Sequence, residues 1–446
     1  MTDRSRPVPE ARVARLAAFG QMAGGIAAGM LGEGVRRLAR GERPHVSDLL
    51  LTPGNARRVT DQLSRLRGAA MKLGQMLSMD SGDVLPPELT EILSRLRDQA
   101  HIMPPAQLNR VLVAQWGADW RRLFVRFDAT PLAAASIGQV HRAVLPSGRV
   151  LAVKVQYPGV AASIDADIDN VAALLRLSGL LPGGLDIAPL LAEAKRQLHE
   201  EADYLREAEQ MRRFAGLLAG DPRFVVPTPE DDLLRPGILP MDYVAALPID
   251  ALAEADQPTR DRVMTDLLGL VLQELFTFGF MQTDPNFANY RWQAETGRIV
   301  LLDFGAARAV PAATAAAYRG LLRAGLAEDH TALRQALLEV GFVSPALLDR
   351  HGATVDGLTA IVLRHVGASR AGQGLFDFAD RSFVGDLRQR GAPILADRET
   401  WHIPPVETLF VQRKISGIAL LCARMGARVP LVAMASRCLC DQHPGG

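Results

Sequence analysis

Cysteine is nearly absent from this chain: three occur in 446 residues, Cys422, Cys438 and Cys440, all towards the C-terminus. That scarcity excludes a disulfide scaffold and fits a reducing compartment. Cys438 and Cys440 have no second ligand pair and read as ordinary thiols rather than half a metal site. An excess of either charge is also missing, with 50 Lys+Arg against 49 Asp+Glu, so nothing global points to nucleic acid. Lysine itself is scarce. Only Lys72, Lys154, Lys195 and Lys414 occur among those 50 basic residues, and a chain that writes its positive charge as Arg can use Lys where a compact ammonium is needed. No run reads as a transmembrane helix. The nearest, residues 16–32, is apolar except for Gln21, short and glycine-rich, and suits close helix packing or contact with a membrane surface. Asp3 and Glu10 among the early arginines argue against a transit peptide, and no Sec-type cleavage site is evident.

What is present is a folded globular composition, 48% hydrophobic and 22% charged, long enough for two or three domains. Residues 1–60 form an Arg- and Gly-rich leader. Leu63, Leu66, Ala70, Leu73 and Leu77 recur at helical period, and Pro86-Pro87 and Pro104-Pro105 punctuate two more helices, giving a helical extension over 61–123. From 124 the period becomes that of strands, over 124–127, 136–141 and 150–155, the last two joined by a turn through Pro146, Ser147 and Gly148. One long helix is expected over 189–217, then strands over 224–226 and 237–243. The remainder, 246–446, reads as helical apart from 284–289 and 299–305. The outline is an α+β, protein-kinase-like two-lobed fold: a β-rich lobe over 124–245, a helical lobe over 246–446, and the extension packed over the cleft.

The strongest chemical signal is an apolar strand ending in Asp303-Phe304-Gly305, which delivers a carboxylate where it can hold Mg²⁺ on nucleotide phosphates. Upstream, Asp284 with Asn289 five positions later has the spacing of a kinase catalytic loop, where the Asp lies by the acceptor and the Asn holds metal. Asn289 and Asp303 are therefore the expected metal ligands and Asp284 the catalytic carboxylate. Lys154, in mid-strand between apolar neighbours, is costly to bury unpaired and is expected on the α/β-phosphates, with Glu201 as its partner. The loop that should cover the phosphates, Ala133, Ala134, Ala135, Ser136, Ile137, Gly138, Gln139 and Val140, has alanines where glycines usually stand, so nucleotide should be bound differently from a protein kinase. Met241, Asp242 and Tyr243 complete the expected nucleotide-binding set. After Gly305 there is no long activation segment and no Ala-Pro-Glu motif, so a peptide substrate would have little to dock on.

Together, Lys72-Leu73-Gly74-Gln75, the Ala-rich loop, Val153-Lys154 with Tyr157-Pro158-Gly159, Glu201-Ala202-Asp203, Asp284 through Asn289 and Asp303-Phe304-Gly305 resemble the UbiB/aarF-domain atypical kinases of coenzyme Q biosynthesis, nearer their mitochondrial-type members. The resemblance runs over about 60–430. It implies a kinase-like fold, binding of ATP or ADP with Mg²⁺, ATPase activity in preference to protein phosphorylation, membrane association and support of ubiquinone assembly. It also implies an inhibitory role for Lys72, Gly74 and Gln75. Helical phase sets Lys72 and Gln75 opposite the apolar face, and Asp203 and Glu207, i and i+4 on one helix, form an acidic pair; the extension is expected to bring Lys72 to Asp203, Glu207 or the phosphate site, blocking protein substrates. Expected partners are nucleotide, membrane lipid, quinone precursors, other quinone-biosynthesis proteins and a second copy in a homodimer, with no nucleic acid. The expected location is cytoplasmic and peripheral to the inner membrane, as in a bacterial-type chain. Two rivals are a non-catalytic, nucleotide-gated lipid-handling or scaffold protein, favoured by the alanine loop, and a small-molecule kinase similar to aminoglycoside phosphotransferases, disfavoured by the Lys72 motif.

Overall fold

The computed structural model describes residues 102–177, 188–371, 374–400, 402 and 404–440. The expected leader and residues 61–101 of the extension, with Lys72, Gly74 and Gln75, lie outside the described residues. The chain divides into two units, one holding the described residues through Arg212 together with Pro227–Tyr243, the other Arg213–Val226 and Val244–Gly446.

Among the described residues, the first element of the first unit is α1 (Pro105–Trp116), which has Pro at its first position, where no amide is needed, and ends at Gly117 with φ 89°. Leu108 and Leu112, one turn apart, are buried in the same core as Trp120, Phe124, Leu151, Val153 and Val155. The end of the expected extension thus shares its core with the sheet. That sheet is antiparallel, in the order β1 (Arg126–Phe127), β3 (Gly138–Val144), β4 (Val150–Gln156), β6 (Ile238–Asp242), with β2 (Ala133–Ala134) on β3. The β3–β4 turn uses Gly148 at φ 86°, a left-handed conformation that glycine adopts without strain, as its amide donates to the Leu145 carbonyl at 2.9 Å.

Side chains alternate across β4: Leu151, Val153 and Val155 enter the core, while Lys154 and Gln156 face the other way. Gln139 and His141 on β3, opposite Val155 and Val153, therefore face the core as polar groups and are satisfied there. The Met103 amide donates to Gln139 Oε1 at 2.9 Å, Gln139 Nε2 lies 2.8 Å from His141 Nε2, and His141 Nδ1 lies 2.8 Å from the Asp128 carbonyl. After α2 (Val160–Leu177) come two helices where the sequence suggested one: α3 (Ala188–Ala202) and α4 (Tyr204–Leu217). The break is at Asp203, whose Oδ1 accepts the Arg206 amide at 3.0 Å, an N-cap that competes with helix continuation.

In the second unit, β5 (Phe224–Val225) pairs in parallel with β10 (Ile299–Leu301), which pairs antiparallel with β9 (Tyr290–Trp292), and that in turn with β7 (Leu247–Pro248). This parallel pairing explains why Arg213–Val226 clusters here rather than with the β-rich unit that 124–245 was expected to form. Helix α5 (Gln257–Gln273) is capped by Asp256, which accepts the Thr259 amide. It runs into a π-helical turn, Glu274–Phe278, that ends at Gly279 with φ 55°. A ribbon of β8 (Phe280–Gln282) and β11 (Ala307–Ala309) follows, then the helices α6 (Ala312–Ala327), α7 (His330–Val340), α8 (Pro345–Ala371), α9 (Ser382–Ala396), α10 (Val406–Met425) and α11 (Leu431–Cys440), with a short β12 (Phe376–Asp377) and β13 (Arg428–Val429) pair. No helix among the described residues is long and apolar enough to cross a membrane.

Candidate functional site

In the first unit, the polar face of β4 turns Lys154 toward α4. Its Nζ lies 2.8 and 2.9 Å from the two carboxylate oxygens of Glu207 and 5.4 Å from the centre of the Tyr204 ring. Lys154 is 9% exposed and Glu207 0%, so the ammonium sits in low dielectric with a matched carboxylate. The partner is Glu207 and not Glu201. The expectation of Glu201 assumed one continuous helix, and the break at Asp203 resets the phase so that the first turn of α4 presents Glu207 to the strand. Glu201, at the end of α3, accepts the Ser136 hydroxyl at 3.0 Å and so ties that helix to the Ala-rich loop. Asp203 and Glu207 are accordingly not a facing acidic pair: one caps α4 and the other holds Lys154. Asp203 is itself the signal that would have found Glu207, being an N-cap residue type placed before a new amphipathic stretch.

The Ala-rich segment is a tight hairpin. The Ala135 amide donates to the Gly138 carbonyl at 2.8 Å, and Ala133 and Ala134 are exposed while Ile137, Gly138 and Gln139 are buried. Gly138 is required by space. A Cβ there would lie 2.4 Å from the Val155 carbonyl oxygen and 3.0 Å from the Tyr204 hydroxyl. Gln139, expected among the nucleotide ligands, turns its amide into the buried network with His141, while Val140 pairs with Lys154 across the strands. At the end of β6, Met241 is buried against Ala152, Asp242 is bound by Arg149 at 2.7 Å, and the Tyr243 amide donates to the Val150 carbonyl. The Asp242 side chain is thus committed, which leaves backbone atoms for any ligand contact there.

In the second unit, β9 and β10 bring the two acidic motifs together. Leu301 pairs with Tyr290, and the Leu302 amide donates to the Asn289 carbonyl at 3.0 Å, so Asp303 follows directly beside Asn289. Asn289 Nδ2 donates to Asp284 Oδ2 at 3.0 Å. That bond uses the donor end of the amide and leaves Oδ1 as the group a cation can take. Asp303 Oδ1 accepts the Gly305 amide at 3.0 Å, which fixes the turn after the strand. Phe304, 1% exposed, is locked against Phe214 with ring centres 5.0 Å apart, and Phe214 lies 5.3 Å from Phe280. The loop's start is fixed by Thr283, whose hydroxyl donates to the Ala306 carbonyl at 2.8 Å. After Gly305 the chain enters β11 at Ala307 and α6 at Ala312, with no intervening segment.

The oxygens of Asn289 and Asp303, the two residues that could hold a metal, are hard donors without sulfur or imidazole and would suit Mg²⁺ and not a soft metal. One carboxylate and one amide oxygen would leave coordination positions for water and phosphate, as Mg²⁺ prefers. The cysteines play no part. Burial pushes the Cys422 thiol up to about 12, away from the reactive thiolate.

Residues 95–337 match the ABC1 atypical kinase-like domain. The chain is 40% identical over 432 residues to the mitochondrial atypical kinase COQ8 of Saccharomyces cerevisiae, an alignment covering 96% of this chain and 85% of that protein. It is 38% identical over 433 residues to the mitochondrial atypical kinase COQ8B of Danio rerio, covering 95% and 68%. Among solved structures, the Rv3197–erythromycin complex from Mycobacterium tuberculosis superposes with a TM-score of 0.58 at 24% identity, covering 86% of this chain and 96% of that one, a likeness of fold. With a family domain across more than half its length and relatives aligned along nearly all of it, the protein belongs to the ABC1 atypical kinases and has their protein-kinase-like mixture of sheet and helix.

Proposed function

We propose that this atypical kinase binds ATP or ADP with Mg²⁺, acts as an ATPase or a phosphotransferase to a non-protein acceptor, and serves ubiquinone biosynthesis at a membrane surface. The observation that carries the reading is the gathering of Asp284, Asn289 and Asp303 by the β9–β10 pairing, with the Asn289 amide already oriented by Asp284. Asn289 Oδ1 and Asp303 would hold the metal, and Asp284 would face the γ-phosphate. Bound Mg²⁺ supplies neutralisation of charge on the transferring phosphoryl group. Lys154, kept in place by Glu207, is assigned to the α/β-phosphates, and the exposed part of the Ala-rich hairpin to covering them.

The direct passage from Gly305 into β11 and α6 favours an acceptor other than a protein, because no segment is present there to seat a peptide. The COQ8 relatives support placing the activity in ubiquinone biosynthesis. Membrane contact is assigned to the surface of the protein and its first 60 residues, with lipid and quinone precursors as partners. Inhibition by Lys72, Gly74 and Gln75, through Asp203, Glu207 or the phosphate site, remains part of the proposal on the strength of the resemblance.

The test is phosphate release from Mg²⁺-ATP by the purified full chain, with and without vesicles of anionic lipid and a phenolic quinone precursor. Turnover that vesicles and phenol stimulate, and that Asp303→Asn lowers by roughly a hundredfold or more, is the expected outcome. Equal turnover in wild type and Asp303→Asn would refute the assignment. Lys72→Ala should unmask self-phosphorylation, and its absence would remove the inhibitory role.

A further inference from the structure

Of the three lysines among the described residues, Lys195 is part-exposed beside Asp169, Lys154 belongs to the site above, and Lys414 has no place yet in the chemistry. Lys414, on α10, is 1% exposed, buried more deeply than Lys154. Its Nζ donates to the Tyr290 hydroxyl at 2.8 Å and to Gln282 Oε1 at 3.1 Å, and lies 3.3 Å from Glu274 Oε2. The other Glu274 oxygen accepts the backbone N–H of Gln282 at 3.4 Å. All four side chains are at most 5% exposed.

The positions of these partners in the chain matter. Gln282 ends β8, two residues before Asp284, and Tyr290 begins β9, immediately after Asn289. One ammonium therefore grips both ends of the loop that carries Asp284 and Asn289. Glu274 is the first residue of the π-helical turn, a local departure from α geometry of the kind found at functional sites. Nearly one turn further along α10, Gly417 sits so close to the loop that an added Cβ would lie 2.3 Å from Cβ of Pro285. One helix thus supports the loop at its two ends and in its middle.

Stability alone is a poor reason for this arrangement, since apolar side chains of similar volume often replace a buried ion pair without loss. A compact ammonium with three rotatable donors can reach an amide oxygen, a phenol and a carboxylate in three directions, which a planar guanidinium cannot. Burial works against the Lys414 charge, but Glu274 and Tyr290 outweigh it and hold its pKa above the ordinary lysine value.

We propose that Lys414, together with Glu274, is a positioning residue that fixes the separation of Asp284 and Asn289 by tying both ends of the 283–289 loop to α10. Its effect on turnover rests on the phosphotransfer reading above; its effect on the loop does not.

The test compares the wild-type full chain with Lys414→Arg and with the double variant Lys414→Met/Glu274→Gln, which removes both buried charges together. Thermal unfolding, hydrogen exchange across 283–289, Mn²⁺ binding with ADP followed by paramagnetic resonance, and kcat and KM for Mg²⁺-ATP are measured. The double variant is expected to melt close to wild type, because neither charge is left alone. Its loop amides should exchange about tenfold faster and Mn²⁺ should bind about tenfold more weakly. A displacement of the loop on the order of 1 Å should lower kcat by ten- to a hundredfold, with KM within about threefold. Lys414→Arg should show the same pattern despite keeping its charge. Wild-type loop exchange, Mn²⁺ affinity and kcat in a stably folded double variant or in Lys414→Arg would overturn the proposal. If wild type shows no turnover, the phosphotransfer reading fails, and loop exchange and Mn²⁺ binding still decide the role of Lys414.

Discussion

At the residue scale, the buried cations and the imidazole of His141, the one buried histidine among the described residues, carry most of the testable content. Glu207→Gln leaves the Lys154 ammonium buried without its counter-charge and should cost about 3–5 kcal/mol of stability by urea denaturation. Glu201→Gln, at the position first expected to pair with Lys154, should cost less than half as much. Equal losses in the two variants would contradict the assignment of Glu207. His141 gives a pH dependence. Burial holds its imidazole below the ordinary range, outweighing the Asp128 carbonyl and carboxylate that favour its charged form. The folded chain therefore stays neutral at His141 where the unfolded chain takes up a proton. Bound protons in the unfolded state exceed those in the folded state once pH falls below about 6.5, and stability falls with pH from there down to the folded pKa. The urea midpoint should drop between pH 7.5 and 5.5, and His141→Gln should flatten that drop; an identical pH dependence in both proteins would remove His141 as the cause. That Asp284, Asn289 and Asp303 come together, and that Lys154 is buried with a carboxylate, was legible because spacing and strand context restrict where such residues can lie. Glu207 was not, since the choice among nearby acids depends on helix phase, and a single N-cap resets it. Lys414 was legible only as a rarity, because its partners come from parts of the chain more than a hundred residues away.

At the element scale, periodicity located β4 and β6 to within one residue at each end and β3 to within three, the segment expected over 299–305 holds β10 in its first three residues, and the turn at Gly148 was visible in its residues. The division of the expected 189–217 helix was missed because hydrophobic period continues through it while the backbone does not. Asp203→Ala should therefore cost about 1 kcal/mol, the usual worth of an N-cap, measurable as a shift in the urea midpoint. No shift would mean that α3 and α4 are separated by something other than the cap. Small residues at close approaches are harder to read from sequence. Gly138 and Gly417 have ordinary backbone angles, and only their neighbours, the Val155 carbonyl and Pro285, show why a side chain is excluded. Gly417→Ala should push the 283–289 loop through Pro285 and, on the proposed reading, lower turnover more than it lowers stability, with an overpacking cost of about 1–3 kcal/mol. Full turnover in a folded Gly417→Ala protein would show that α10 does not bear on the loop.

At the scale of the whole molecule, the chain is an atypical kinase in which the Asp284–Asn289 and Asp303–Gly305 segments keep the residue types and spacing of an ordinary kinase while the Ala-rich hairpin and the stretch after Gly305 do not. The alanines and the tight Ala135–Gly138 turn replace a glycine loop, and the chain passes from Asp303-Phe304-Gly305 straight into a β-ribbon and a helix. On the proposed reading both differences would act against peptide phosphorylation, and neither changes Asn289 or Asp303. Whether Asn289 and Asp303 hold the metal of a bound nucleotide, as proposed, is decided by a crystal structure of the full chain with Mn²⁺ and a non-hydrolysable ATP analogue. The anomalous signal of Mn²⁺ should fall within about 2.0–2.3 Å of Asn289 Oδ1 and of an Asp303 carboxylate oxygen, near the distances of a hard octahedral cation. An occupied nucleotide site whose metal lies on other carboxylates, with Asn289 and Asp303 uncoordinated, would contradict the account.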